Sequence, residues 1–239
     1  MNNQRSFLEL SKEIIHSLNR YQSIEQVISE AISTIKSFSG IEAVAIRKKD
    51  GNDYPFYTSE GFPESFIKKE NYICNSNGLS KDKSTLECIC GAVISEKTDS
   101  PDFTEYGSFW TNSTTELLKK GTLGVLQPRG YCNTAGYESV AIIPLKTKEG
   151  VIGTLQMNDS RKNIFSPENI RDYETLSEVL SCSFQRKFLE EELINNNNFY
   201  GYALDGLSQN IAVISENADI LLTNQAWKDF AQSNGTSPQ

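Results

Sequence analysis

ESVAIIPLKTKEGVIGTLQMND, residues 138–159, decides the fold class. Two runs rich in Val, Ile and Leu flank a Lys-Glu-Gly turn, and strands joined by so short a link must be antiparallel. They form the central hairpin of a sheet. Upstream, IEAVAIRKKDGNDYPFYTS alternates apolar and polar residues around Lys-Asp-Gly, which predicts a second hairpin with strands near 41–48 and 54–59. Before it, SFLELSKEIIHSLN (6–19) spaces Phe7, Leu10, Ile14 and Leu18 by three and four, the period of an amphipathic helix. SIEQVISEAISTIKSF (23–38) does the same with Ile24, Val27, Ile28, Ala31, Ile32 and Ile35. It opens with a Ser23/Gln26 capping-box pattern and is closed by Gly40. Downstream, SPENIRDYETLSEVLSCSFQRKFLEEELI (166–194) begins with Ser166 and Pro167 and carries one stripe through Ile170, Tyr173, Leu176, Val179, Leu180, Phe184, Phe188 and Leu189. The fold class is α+β, a central antiparallel sheet flanked by N-terminal helices and a long C-terminal helix.

The stretch from about 60 to 135 is irregular and holds every chemical oddity of the chain. A loop that long in a compact domain is usually functional. The run NNNN at 195–198 predicts a break, after which IAVISENADILLTNQAWKDFAQSNG reads as strand, turn, strand and a short helix with Trp227 and Phe230 packed inward. The expected organisation is one domain over 1–194 and the opening of a second over 195–239, too short to close its own core.

Composition narrows the function classes. With 31 acidic against 23 basic residues the net charge is −8, which excludes an electrostatic footprint for nucleic acid or an anionic membrane. No apolar run is long enough to span a bilayer, and MNNQRSFLEL has no signal-peptide core, so the expected compartment is the cytoplasm. Five cysteines in such a chain read as reduced thiols, ligands or redox groups rather than a disulfide framework.

LECICG (86–91) sets Cys88 and Cys90 one residue apart. If this segment is extended, both sulfurs face one way, and Cys132, just before the central hairpin, completes a set of three. Soft thiolates at such a site suit zinc, an iron–sulfur cluster or a haem iron, with Cys74 the candidate fourth ligand by position. Thiol redox chemistry and plain packing stay open beside the metal reading. Cys182, on the apolar long helix, is expected to pack, and His16 to sit on a polar helix face. Phe109 and Trp110 of GSFWTNS could line a ligand cavity or close the core, while Asn112, Ser113 and Thr114 could cap the helix that follows. Arg129 could hold an anionic ligand, lower a thiol pKa, or pair with a carboxylate such as Glu138.

Three segments, CICGAVIS (88–95), GSFWTNSTTELL (107–118) and RGYCNTAGYESVAIIPLKTKEGVIGTLQMND (129–159), resemble a GAF-domain subfamily found in sensor histidine kinases and related signalling proteins. The tail, ALDGLSQNIAVISENADILLTNQAWKDFAQSNG, resembles the first strands and helix of a PAS domain. The resemblance implies a sensory input segment, not itself an enzyme, whose pocket holds a small molecule, a gas or a metal-containing cofactor. Cys88, Cys90, Cys132, Phe109, Trp110 and Arg129 would line that pocket, and Cys74 falls in a variable stretch of the pattern. It further implies a homodimer through 6–19 and 166–194, and a downstream output domain. Some relatives bind haem through cysteine, but this chain's single histidine, His16, leaves no matching second ligand and no Cys-His pair for a bilin. The rival reading is a thiol-dependent reductase resembling the GAF-fold free methionine sulfoxide reductases, with one of the three thiols as nucleophile and another resolving it.

Overall fold

The computed structural model describes residues 7–20, 23–74, 86, 88–121 and 128–235. Two compact units divide at residue 186, Met1–Arg186 and Lys187–Gln239. The first unit opens with α1 (Phe7–Arg20) and α2 (Ile24–Ser39), as their apolar periods require. Ser23 is the N-cap of α2 but gives no side-chain hydrogen bond, so the Ser23 half of the expected capping box does not form. Gly40 ends the helix in the left-handed conformation, its N–H donating to the Lys36 carbonyl. The hairpin β1 (Ala43–Lys48) and β2 (Phe56–Glu60) follows, then α3 (Glu64–Glu70) and α4 (Cys88–Ile94). Next come β3 (Phe109–Thr111), α5 (Thr114–Lys120) and the single turn α6 (Tyr131–Thr134). The central hairpin is β4 (Ser139–Thr147) and β5 (Gly150–Asp159).

These five strands make one antiparallel sheet in the order β2-β1-β5-β4-β3. The quoted hairpin is at its centre, and both its faces are covered. One face carries Ala43, Phe109, Val140 and Ile142 against α4 and an aromatic group built from Phe66, Phe103 and Tyr137. Alternation turns Val44, Ile46, Ile143, Leu155 and Met157 to the other face, where all five are buried. There α2 packs on β1 and β2, and α1 packs on α2.

One end of the sheet is tied by a buried charge. Asp159, fully buried, accepts from the Glu42 N–H at 3.1 Å, the Arg161 N–H at 2.9 Å, and Arg161 Nε and Nη2 at 2.8 and 2.7 Å. Burial alone would raise its pKa, but the Arg161 and Glu42 donors outweigh that and hold it below the ordinary carboxylate value. A depressed folded pKa adds stability above the unfolded value near 4, and that contribution drains away as pH falls through the folded pKa. Asp159→Asn is therefore expected to cost about 2 kcal/mol at pH 6. Between pH 5 and 3 its urea midpoint should fall less steeply than that of the unchanged chain.

The long helix α7 spans Pro167–Asp205, 39 residues, and runs straight through the NNNN segment. Asparagine is a weak helix former, not a breaker, and the four cost less than one proline would. The N-terminus of α7 is closed by a reciprocal pair: the Ser166 N–H donates to Asn169 Oδ1 and the Asn169 N–H to Ser166 Oγ. Ile170, Tyr173, Leu176, Leu180 and Phe184 are buried, as their spacing predicts, Val179 and Phe188 are half-buried, and Leu189 at the far end of the expected stripe is exposed, as is Cys182 within it. His16 is exposed on α1.

In the second unit, the end of α7 leads to a hairpin of β6 (Ala212–Ile214) and β7 (Ile220–Thr223), then α8 (Gln225–Ser233). Asn224 fixes it: its amide donates to the carbonyls of Leu204, Leu207 and Gln209, and its oxygen accepts from the Ile211 and Trp227 N–H groups. Trp227 is half-buried, but Phe230 is exposed, because a two-stranded sheet offers no surface wide enough to cover both faces of α8.

Candidate functional site

CICGAVI is not extended. It forms α4, and the expectation of a strand at 88–90 fails because an unbroken apolar run buried on all sides has the same appearance as helix or strand. The sulfurs meet all the same. Cys88, the first residue of α4, has φ 65°, the left-handed region that non-glycine residues seldom occupy, and Cys90 hydrogen-bonds its sulfur. Gly91 is required here, since a Cβ at that position would lie 2.6 Å from the Leu86 backbone. Cys132 enters from α6, and with Cys88 and Cys90 it lines one cleft on the sheet face that carries Phe109, Val140 and Ile142. Leu117 and Leu118 of α5, Tyr131 and Glu70 complete its walls. The cavity itself holds about 40 Å³, and the open space around and above it brings the total to about 490 Å³.

The three sulfurs differ in charge state. Cys88 accepts from the Cys90 thiol and from the backbone N–H groups of Arg129 and Ile89, and these donors outweigh burial and lower its pKa to about 5. Of the three sulfurs it is the one these contacts favour as a thiolate. The same hydrogen bond, together with burial, holds the Cys90 proton in place and pushes its pKa up. Burial first, then the charges of Cys88 and Glu70, raise Cys132 to about 12. One sulfur favoured as an anion thus shares the cleft with two held neutral.

Arg47 organises the floor beneath them, and nothing in IRKKDG marks it out. On β1 it points inward, 1% exposed, with its guanidinium carbon 3.5 Å from the centre of the Phe56 ring. Its Nη atoms donate to the carbonyls of Tyr54 (3.0 Å), Asn71 (3.0 Å) and Glu70 (2.7 Å), the last two being open carbonyls at the C-terminal end of α3. Its Nε donates to Gln156 Oε1 at 3.3 Å. This clamp sets the Glu70 carboxyl at the cleft, where burial raises its pKa against the pull of Arg129.

Arg129 does not pair with Glu138. Its guanidinium donates to the Tyr72 carbonyl at 3.1 and 3.2 Å and lies 3.9 Å from Glu70, at the C-terminal end of α3 rather than at the hairpin. Glu138 instead accepts from Ser113 Oγ, Thr115 Oγ1 and the Thr115 N–H, fastening the start of α5. Ser113 caps α5 as expected.

Phe109 and Trp110 part company, as neighbours on a strand must: Phe109 is buried and lines the cleft, whereas half-buried Trp110 is not among its walls. The segment around β3 also grips α7. Thr104 Oγ1 donates to Glu174 Oε1, and Ser177 Oγ donates to Tyr106 Oη at 3.2 Å. Asn112 donates to the Phe165 carbonyl at 2.8 Å and accepts from its N–H at 2.9 Å, just before the helix begins. One strand therefore joins the cleft wall to the long helix.

The donor set does not fit a closed metal centre. Among the described residues no three His, Cys, Asp or Glu side chains are arranged to hold a metal ion, and Cys74, the fourth ligand expected from position, is not a cleft residue. Its N–H is spent on Asp53 Oδ2 at 3.1 Å.

Sheet, helices and cleft together define the fold as that of a GAF domain. No protein-family model matches the chain, and no curated protein does. Solved structures do. The GAF domain of a phosphoenolpyruvate-protein phosphotransferase from Coxiella burnetii is 13% identical, covering 80% of this chain and 99% of its own, at a TM-score of 0.58. A free methionine-R-sulfoxide reductase from Neisseria meningitidis, solved with its substrate, is 10% identical over 80% of this chain and 95% of its own, also at 0.58. The GAF domain of an Acinetobacter phosphoenolpyruvate-protein phosphotransferase is 14% identical over 80% and 99%, at 0.56. At these identities the likeness establishes the fold.

Proposed function

We propose that this chain is the sensory input segment of a signal-transduction protein, in the manner of a sensor histidine kinase. The thiol-lined cleft binds a small molecule, and α7 carries the bound state toward an output domain. The observation that carries the reading is the double role of β3. Phe109 walls the cleft, while Thr104, Tyr106 and Asn112 on either side hold Phe165, Glu174 and Ser177 at the start of α7. A ligand that displaces the Phe109 ring moves the helix anchors with it, which is the coupling a sensor needs. In this reading β6, β7 and α8 open a PAS domain. The protein works in the reducing cytoplasm, where its thiols stay free, and two copies pair through α1 and α7. A monomer in sedimentation at micromolar concentration would remove that last element.

The test is ligand capture by protein purified without oxygen. Native mass spectrometry, metal analysis and an absorption spectrum are compared between the unchanged chain and Cys88→Ser, Cys90→Ser and Cys132→Ser. We expect a small molecule, or a thermal shift with candidate ligands, that weakens at least tenfold in Cys88→Ser. Stoichiometric iron or zinc lost in all three variants would replace the small molecule by a metal-containing cofactor. Steady turnover of methionine sulfoxide with a thiol reductant would overturn the sensory reading in favour of a reductase.

A further inference from the structure

The polar residues on the cleft side of β5 form a directed chain. Arg47 Nε donates to Gln156 Oε1, and Gln156 Nε2 donates to Asn158 Oδ1 at 3.2 Å. A guanidinium can only donate, so the direction of every later link is fixed: Gln156 must turn its oxygen to Arg47 and its amide to Asn158, whose own amide is left pointing onward. Asn158 is fully buried, and its Nδ2 has no hydrogen-bond partner among the described residues; the titratable group it acts on is Cys132. A buried N–H with so poor an acceptor as a neutral thiol is a standing cost, and a thiolate removes it. The floor of the cleft is therefore built to receive negative charge on Cys132.

Across the cleft, three donors already hold negative charge on Cys88. Burial is the main influence that keeps Cys132 protonated and the charge on Cys88 adds to it, so loss of that charge eases the passage of Cys132 to a thiolate. A pair of sulfurs equipped to be anionic in turn is what a two-step thiol oxidation needs. Beyond the sulfurs the cleft offers Phe109, Leu117, Val140 and Ile142, which suit an oxidant with an apolar body.

We propose that the cleft is a dithiol site for organic hydroperoxides, in which Cys88 meets the oxidant and Cys132, presented by Asn158, closes a disulfide with it. This names the small molecule of the sensory reading and rests on that reading. In the first step the Cys88 sulfur bonds to the terminal peroxide oxygen, the O–O bond breaks, and the departing alkoxide takes a proton from water to leave as the alcohol. Cys88 becomes a sulfenic acid and its negative charge is gone. In the second step the Cys132 sulfur gives up its proton and attacks the Cys88 sulfur; the S–O bond breaks, and hydroxide departs with that proton as water. One hydroperoxide is reduced by two electrons to alcohol and water, and two thiols are oxidised to one disulfide. Cys90 keeps its proton and serves as a donor.

The reduced chain is treated with one equivalent of cumene hydroperoxide, the remaining thiols are blocked, and disulfides are mapped by mass spectrometry. The expected result is a Cys88–Cys132 link, two thiols lost and one cumyl alcohol formed per chain, with hydrogen peroxide at least tenfold slower. Cys132→Ser should halt at a Cys88 sulfenic acid that dimedone captures. Asn158→Leu should slow disulfide closure about tenfold and leave the rate of Cys88 oxidation unchanged, a split that a merely structural role would not give. A Cys88–Cys90 link, unchanged oxidation in Cys88→Ser, or no thiol loss would overturn the proposal. If ligand capture by the cleft persists in that case, the sensory reading survives without it. If the predicted disulfide forms and α7 is indifferent to it, the redox site stands and the sensory reading falls.

Discussion

Arg47→Met is expected to cost the first unit about 4 kcal/mol, enough to leave it largely unfolded in mild denaturant. The replacement fills much of the volume but removes every donor. The carbonyls of Tyr54, Glu70 and Asn71 and the amide oxygen of Gln156 then stay buried without partners, and each such group costs about 1–3 kcal/mol. The stacking of the guanidinium on Phe56 goes too. Arg47→Lys is the informative companion, because an ammonium keeps the charge but cannot span four acceptors at fixed angles. It should recover less than half of the loss in urea-induced unfolding followed by circular dichroism. Equal stability of the Met variant and the unchanged chain would mean that the clamp holds nothing.

The second large effect belongs to Gly61→Ala. Gly61 follows β2 with φ 88°, and a Cβ there would lie 2.0 Å from the Glu42 carbonyl oxygen, so the substitution meets both a conformational penalty and a backbone clash. The two add to about 3 kcal/mol. Gly51→Ala separates them, since Gly51 has φ 58° with nothing within 4 Å of its would-be Cβ, and should cost only about 1 kcal/mol. The midpoints of thermal unfolding of the two variants should therefore differ by several degrees. The clash would also disturb Phe62, which stacks on Phe66 at 4.9 Å next to the Tyr131 wall of the cleft.

Most of the sheet was legible because its signals are local. Alternation and turn residues located both hairpins, and the three-and-four spacing located α1, α2 and the buried stripe of α7. What was not legible depended on contacts distant in sequence. Arg47 looks like the polar half of an alternating strand, yet it is the buried clamp of α3, and only the approach of residues 70–71 and 156 reveals that. Asn158 and Gln156 read as ordinary strand polars for the same reason. The convergence of Cys88, Cys90 and Cys132 was foreseen on a wrong local geometry: the segment is a helix start with a left-handed first residue, not a strand. Trp110 could have been separated from Phe109 by strand alternation alone, had β3 been recognised in so short a run.

In the proposed sensor the state of the cleft reaches α7 through β3. Hydrogen–deuterium exchange read by mass spectrometry tests it most directly, comparing the reduced chain with one whose Cys88 has been capped by a small methylthio group. Altered exchange is expected in residues 104–112 and, with them, in the 170–184 stretch of α7. An altered cleft with exchange in α7 unchanged would contradict it.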